Sequence, residues 1–213
     1  TIYIKSITHN YNIKGFKMKL IKIIVMSFLT MFLTATYSFS STLDDIVQSG
    51  VLKVGTTGDF PGWSFKNPAT DEYEGFDIDV ANKLGESMGV EVEFVATDWK
   101  NLVSGVVSNK YHMTSSASIT AQRAITAGYS DSYYGTGTVA MVLSKNSGSI
   151  DSWEKINSSD IKVAVTLGTV FEGEAKKSFP ESKIVSVEAP AREYQEVLSG
   201  RADVSLTSKV DAL

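Results

Sequence analysis

The chain has 213 residues, 43% of them hydrophobic and 21% charged, with a formal net charge of −4. It can bury a core for one or two small domains and does not have a disordered composition. There is no cysteine, and the only histidines are His9 and His112, which excludes disulfide frameworks, thiolate zinc sites, cysteine nucleophiles and multi-histidine metal centres; no cofactor or metal is expected.

The first forty residues carry Lys5, Lys14, Lys17, Lys19 and Lys22 and no acid. Lys19 and Lys22 precede an apolar run, Ile23 to Leu33, which ends in small residues at Ser38, Ser40 and Ser41. That is the pattern of a secretory leader, and the run is well short of the ~20 apolar residues of a spanning helix. Residues 18–40 are expected to be a signal peptide starting at Met18 and cleaved near Ser40, with residues 1–17 an upstream extension. Beyond residue 40 the acids outnumber the bases 24 to 15. An acidic exported chain is a poor binder of nucleic acid or of anionic membranes.

From Ser41 short β-like runs alternate with helical patterns. VLKVG at 51–55 reads as a strand. FDIDVANKLGESM reads as a helix, with Phe76, Val80, Leu84 and Met88 on one face and Gly89 as its stop. VEVEFVA at 90–96 alternates as a strand, and Trp99, Leu102, Val103, Val106 and Val107 recur as on an amphipathic helix. TVAMVLS at 138–144, IKVAVT at 161–166, KIVSVEA and ADVSLTS read as further strands. Between them lie a helix from about Val170, with Phe171, Ala175 and Phe179 on one face, and one with Ala191, Tyr194, Val197 and Leu198. This alternation predicts an α/β protein with parallel, two-sided sheets, in two lobes at 41–138 and 139–213. The second lobe lacks an obvious closing helix, so the chain reads as truncated at its C-terminus and of marginal stability.

The stretch MTSSASITAQR, Met113 to Arg123, falls where the chain leaves a strand, the end at which α/β sheets present ligand contacts. Ser115, Ser116 and Ser118 offer hydroxyls and backbone N–H groups, and Arg123 offers a planar fork suited to a carboxylate. Polar loops after strands are common, so the residues alone leave an anion cradle and an idle loop both open. LGT before VFEGEAKK turns the positive end of a helix toward the same kind of ligand. Thr169 also reads as a plain N-cap. His112 has no evident orienting acid and reads as structural, and no G-x-S-x-G motif supports a serine hydrolase.

Four blocks in this order, LDDIVQSGVLKVGTTGDFPGWSF, EGFDIDVANKLGESMG, WKNLVSGVVSNKYHMTSSASITAQR with YSDSYY, and VTLGTVFE, resemble the type II periplasmic solute-binding proteins. The resemblance is to family 3, which serves polar amino-acid ABC transporters. It implies a two-lobed Venus-flytrap fold, a monomer, and a periplasmic receptor that passes an amino acid or related carboxylate to permease subunits. It also implies ligand contacts from Phe60 and Trp63, from Ser115, Ser116, Ala117 and Ser118, from Arg123 to the α-carboxylate, and from Thr169 and Val170. Trp99 is either a further ligand aromatic or core packing, and Glu74 and Asp77 are expected to be structural.

Ser208 stands where that family places an aspartate on the ligand's α-ammonium. An uncompensated cation in a closed cleft is costly, which puts an α-amino ligand in question unless Asp211 or Asp59 substitutes. The family also has an enzyme branch, the cyclohexadienyl (prephenate/arogenate) dehydratases, with a glutamate two residues after the threonine of the second-lobe GT. Here that position is Phe171, and Glu172 is one residue further. One residue rotates a helical side chain by ~100°, so Glu172 does not simply inherit the acid role, and a receptor is the preferred reading.

Overall fold

The computed structural model of the protein describes residues 42–212; the leader and upstream extension expected in residues 1–40 lie outside the described residues. In chain order the elements are α1 (Thr42–Ser49), β1 (Val51–Thr56), β2 (Asp59–Phe60), β3 (Ser64–Lys66), β4 (Tyr73–Glu74), α2 (Phe76–Met88), β5 (Glu91–Ala96), α3 (Leu102–Val107), β6 (Met113–Thr114) and α4 (Ala121–Ala124). There follow β7 (Thr138–Val142), a 3₁₀ turn (Ser144–Asn146), α5 (Trp153–Ile156), β8 (Lys162–Thr166), α6 (Val170–Ser178), β9 (Lys183–Val187), α7 (Glu193–Leu198) and β10 (Val204–Ser208).

The strands form an N-terminal sheet ordered β5-β1-β6, a C-terminal sheet ordered β7-β10-β8-β9 and a small antiparallel β2-β3-β4 sheet. All pairings in the N-terminal sheet are parallel. In the C-terminal sheet β8 pairs parallel with β9 and β10, but β7 runs antiparallel to β10, with Ser208 opposite Thr138. The expectation of wholly parallel sheets is corrected there. β7 is the strand by which the chain enters this sheet from the N-terminal half, and it takes an edge, the usual place for an antiparallel strand on a parallel sheet.

Strand periodicity builds the C-terminal core. Val163 and Val165 of β8 face Val204, Leu206, Ala175 and Phe179 on one side, and Ala164 faces Val187, Val197 and Ala202 on the other. Each fully buried valine or leucine contributes about 1.5–3 kcal/mol, so both faces have to be covered, by α6 and α7 respectively. In the N-terminal half Leu52, Val54, Ile46 and Ala81 form the buried cluster.

The core face of α2 is not the expected one. Asp77, Ile78, Ala81 and Gly85 are buried, whereas Phe76 and Leu84 are 45% and 38% exposed. Gly85 lets the helix lie against β5, where a Cβ would come within 2.4 Å of the Val92 side chain. α3 starts at Leu102, so Trp99 precedes it, and Val107 is exposed. In α7 only Val197 of the expected apolar face is buried; Tyr194 and Leu198 face outward. Gly89 caps α2 in the left-handed conformation, as expected.

Tyr111 is fully buried, with its hydroxyl 2.8 Å from the Leu102 carbonyl. His112 accepts the Lys53 backbone N–H on Nδ1 at 3.0 Å and has the structural role expected of it. A Cβ on Gly55 or Gly105 would lie 2.5 or 2.2 Å from the Tyr111 ring. Gly105→Ala gains about 1 kcal/mol of helix propensity but overpacks this ring at a cost of about 1–3 kcal/mol. Net destabilisation is expected in urea denaturation, whereas Gly173→Ala, with open space around it, should stabilise α6.

Candidate functional site

The chain leaves β6 at Ser115 beside the end of β1, and Ser116 adopts a left-handed backbone with φ 56°. Its hydroxyl donates to the Asp77 carboxylate, which also accepts the Tyr133 hydroxyl at 2.8 Å. Burial raises the Asp77 pKa, with the Ser116 and Tyr133 hydrogen bonds opposing it. The Tyr133 phenol is pushed up to about 12, first by burial and then by the Asp77 charge. Ala117 is half-buried and Ser118 exposed.

Thr120 caps the short α4 by accepting the Arg123 backbone N–H at 3.2 Å. The Arg123 side chain then reaches across: Nη1 donates to the Ser118 carbonyl at 3.1 Å and Nη2 to the Gly168 carbonyl at 2.9 Å. Arg123 therefore spans from the serine loop of the N-terminal half to the loop that opens α6. Gly168, at φ 82°, lies backbone to backbone on Lys100, whose Cα would be 2.3 Å from any Cβ there. Lys100 pairs with Glu188, a second link between the halves.

Thr169 sits at the N-cap of α6 but does not cap it with its side chain; its hydroxyl donates back to the Thr166 carbonyl at 2.7 Å. Val170 opens the helix, half-buried. Glu172 takes up the local donors instead: the Gly168 N–H at 2.9 Å, Lys176 at 2.7 Å and the Ser186 hydroxyl at 2.8 Å. Burial opposes ionisation, but Lys176, the Gly168 amide and Ser186 together hold its pKa below the ordinary glutamate value.

The aromatics form one chain. Phe60 stacks on Trp63 at 5.8 Å and meets Trp99 edge-on at 5.8 Å; Trp63 contacts Tyr134 at 4.6 Å. Among the described residues Trp99 belongs to none of the core clusters; its indole N–H donates to the Asp59 carboxylate at 3.0 Å. Ser208 is buried, and its hydroxyl accepts the Asp211 N–H at 3.0 Å. Glu74 is exposed on β4.

Sequence reasoning missed Arg192. Its side chain is 13% exposed and donates to the Asp59 carbonyl, to Asp211 and to Glu193. Glu193 is buried and accepts the Thr166 hydroxyl; Asp211 also accepts the Thr207 hydroxyl at 2.6 Å. Burial disfavours the Arg192 charge, but Glu193 and Asp211 raise its pKa above the ordinary value. The sole sequence signal was an arginine beside a glutamate at a helix start. Among the described residues no cluster of His, Asp and Glu could hold a metal ion.

This pairing of a serine–arginine loop on one sheet with a glycine–threonine helix start on the other coincides with a family profile. Residues 52–211 match the bacterial extracellular solute-binding proteins, family 3. The chain belongs to that family. It is 30% identical over 175 residues to cyclohexadienyl dehydratase of Pseudomonas aeruginosa, covering 81% of this chain and 64% of that protein. It is 25% identical over 169 residues to the L-cystine-binding protein TcyA of Bacillus subtilis, covering 79% of this chain and 61% of the relative. The chain thus spans less than two thirds of the length of these relatives. Among solved structures it is similar to an ancestral amino acid-binding protein, a precursor of cyclohexadienyl dehydratase, at 41% identity and TM-score 0.76, covering 81% of this chain and 76% of that one. The two-lobed α/β fold of this family is the fold expected from the sequence.

Arg192→Ala leaves Glu193 and Asp211 buried without their cation, and a loss of about 3–5 kcal/mol is expected, measurable by denaturant unfolding at neutral pH. Glu172 has a lowered folded-state pKa, so its contribution is fully present above about pH 4.3, the ordinary glutamate value, and is lost as pH falls through the folded value. Glu172→Gln is therefore expected to lower stability at pH 7 and to converge with the wild type only once the pH has fallen below the folded-state pKa.

Proposed function

We propose that this protein is an exported solute-binding component of an ABC transporter, which closes two lobes on an amino acid or related small carboxylate in the periplasm and presents it to a membrane permease. The observation that carries this reading is Arg123, whose guanidinium joins the serine loop to the start of α6. That fork lies against the loop that opens α6, beside the helix's positive end, an arrangement suited to a carboxylate. In this reading Ser115, Ser116, Ala117, Ser118, Thr169 and Val170 complete the carboxylate cradle, and Phe60 and Trp63 cover the ligand's side chain. Lobe closure supplies the surface that the permease reads. The protein acts as a monomer, without cofactor, after removal of residues 18–40.

The ligand's second group is set by what the acids are doing. Ser208 provides a hydroxyl and no charge, Asp211 is engaged by Arg192, and Asp59 by Trp99. Ser208 thus gives an α-ammonium no counter-charge, and Asp59, which accepts from a neutral indole, is the acid left to meet one.

A dehydratase reading has support in the likeness to the Pseudomonas enzyme, whose chemistry needs a proton donor at the leaving hydroxyl. Glu172 is held ionised by three donors, the wrong state for that task. The receptor reading is the stronger.

A thermal-shift panel of L-arginine, L-cystine, L-glutamine, L-histidine and phenylpyruvate tests it. A ligand at a hundred times its Kd adds about 2.7 kcal/mol, roughly 5–10 °C for a chain of this size. Arg123→Ala is expected to abolish the shift. A shift that survives that substitution, or a panel without any response, refutes the clamp. Conversion of prephenate to phenylpyruvate that is lost in Glu172→Gln would establish the enzyme instead.

A further inference from the structure

Asp77 is 2% exposed at the second position of α2. A carboxylate in the first turn of a helix is ordinary, because it complements the helix dipole. That explains its place along the helix but not its burial, nor why each oxygen receives a hydroxyl from a different segment. Oδ2 accepts from Ser116 in the serine loop and Oδ1 from Tyr133. Tyr133 belongs to the stretch between α4 and β7, the connection from the N-terminal to the C-terminal sheet. Its ring lies 6.0 Å from that of Phe76, so the linker rests on the first turn of α2.

Ser116 is held at φ 56°, a conformation unfavourable for a residue with a Cβ unless its surroundings impose it. The space lined by Ser115, Ser116, Asp77, Thr57 and Trp99 amounts to about 10 Å³, room for about one water molecule at most, so the loop is closely packed. The bond from the Ser116 hydroxyl to a buried carboxylate adds a directional constraint that packing alone does not supply, since charge-assisted hydrogen bonds are among the strongest in proteins. An amide at position 77 has a single acceptor oxygen and cannot receive both hydroxyls in this geometry.

We propose that Asp77 and Tyr133 are positioning residues, which together fix the serine loop and tie it to the connection between the lobes. The loop's role in ligand contact rests on the function proposed above; the bridge itself does not. Its consequence is that the linker and the cradle move as one body.

Peptide-resolved hydrogen exchange on the full chain without ligand tests the bridge, using wild type, Asp77→Asn, Tyr133→Phe and the double variant. Asp77→Asn, which loses the geometry of both hydroxyl bonds, is expected to speed exchange in peptides covering 113–118 by about tenfold, and Tyr133→Phe, which leaves the Ser116 bond in place, by a smaller factor, with β9 peptides at their wild-type rate. The double variant should match Asp77→Asn, because the Tyr133 bond acts only through Asp77. Unchanged loop exchange in Tyr133→Phe overturns the proposal, as does a double variant at the product of the two single effects. Tyr133 is 50% exposed, so Tyr133→Phe should fold and decides the matter alone if Asp77→Asn does not. Failure of the ligand panel refutes the receptor reading and leaves this exchange result standing.

Discussion

A guanidinium out of water must find acceptors for its N–H groups or cost several kcal/mol, and Arg192 meets that demand with groups from distant parts of the chain. Its partners are the Asp59 carbonyl on β2, Glu193 beside it and Asp211 in the turn after β10. One side chain thus joins the strand that carries Phe60 to the turn that Ser208 helps to close. Asp59 passes the constraint on, since its carboxylate receives the Trp99 indole and Trp99 meets the Phe60 ring edge-on. The aromatic chain is placed by this ionic network as much as by its own contacts.

Alternating strands and helices were legible from local pattern, because burial on two faces forces short apolar strands and one-sided helices. The core face of α2 was not. The apolar stripe Phe76, Val80 and Leu84 and the buried Asp77, Ala81 and Gly85 share one four-residue spacing and lie one residue, about 100°, apart around the helix, so periodicity alone does not choose between them. The true face uses Ala81 and Gly85, small residues whose value is close approach to β5 and which carry little apolar weight in a sequence. Leu198 misled for the opposite reason: it is apolar, yet α7 turns it outward and buries Val197.

At the site, Ser115 to Arg123 stood out because hydroxyls and an arginine after a strand have a chemistry of their own. Arg192 did not, since arginines are exposed by default and its partners lie 133 and 19 residues away. Asp77 and Tyr133 were read within helix and loop, and their meeting across 56 residues is a tertiary fact. Thr169 was read correctly for position but not for bonding: its hydroxyl turns back to the Thr166 carbonyl, and Glu172 accepts the Gly168 N–H just before it.

In the receptor proposed above, Gly168 sets the terms on which a ligand would use Arg123. Its bare backbone lies on Lys100, which brings its carbonyl within 2.9 Å of the guanidinium. A carboxylate that takes over this donor exchanges a neutral acceptor for a charged one. The bond to the Gly168 carbonyl already has a charged donor and falls in the class worth about 1.5–3 kcal/mol net, so what a carboxylate adds is charge–charge attraction and a two-pronged geometry, not a whole new bond. The guanidinium, already oriented by Ser118 and Gly168, loses little further freedom on binding. Selectivity at this point comes from charge: a neutral oxygen gains nothing by displacing the Gly168 carbonyl, and only an anion has reason to stay.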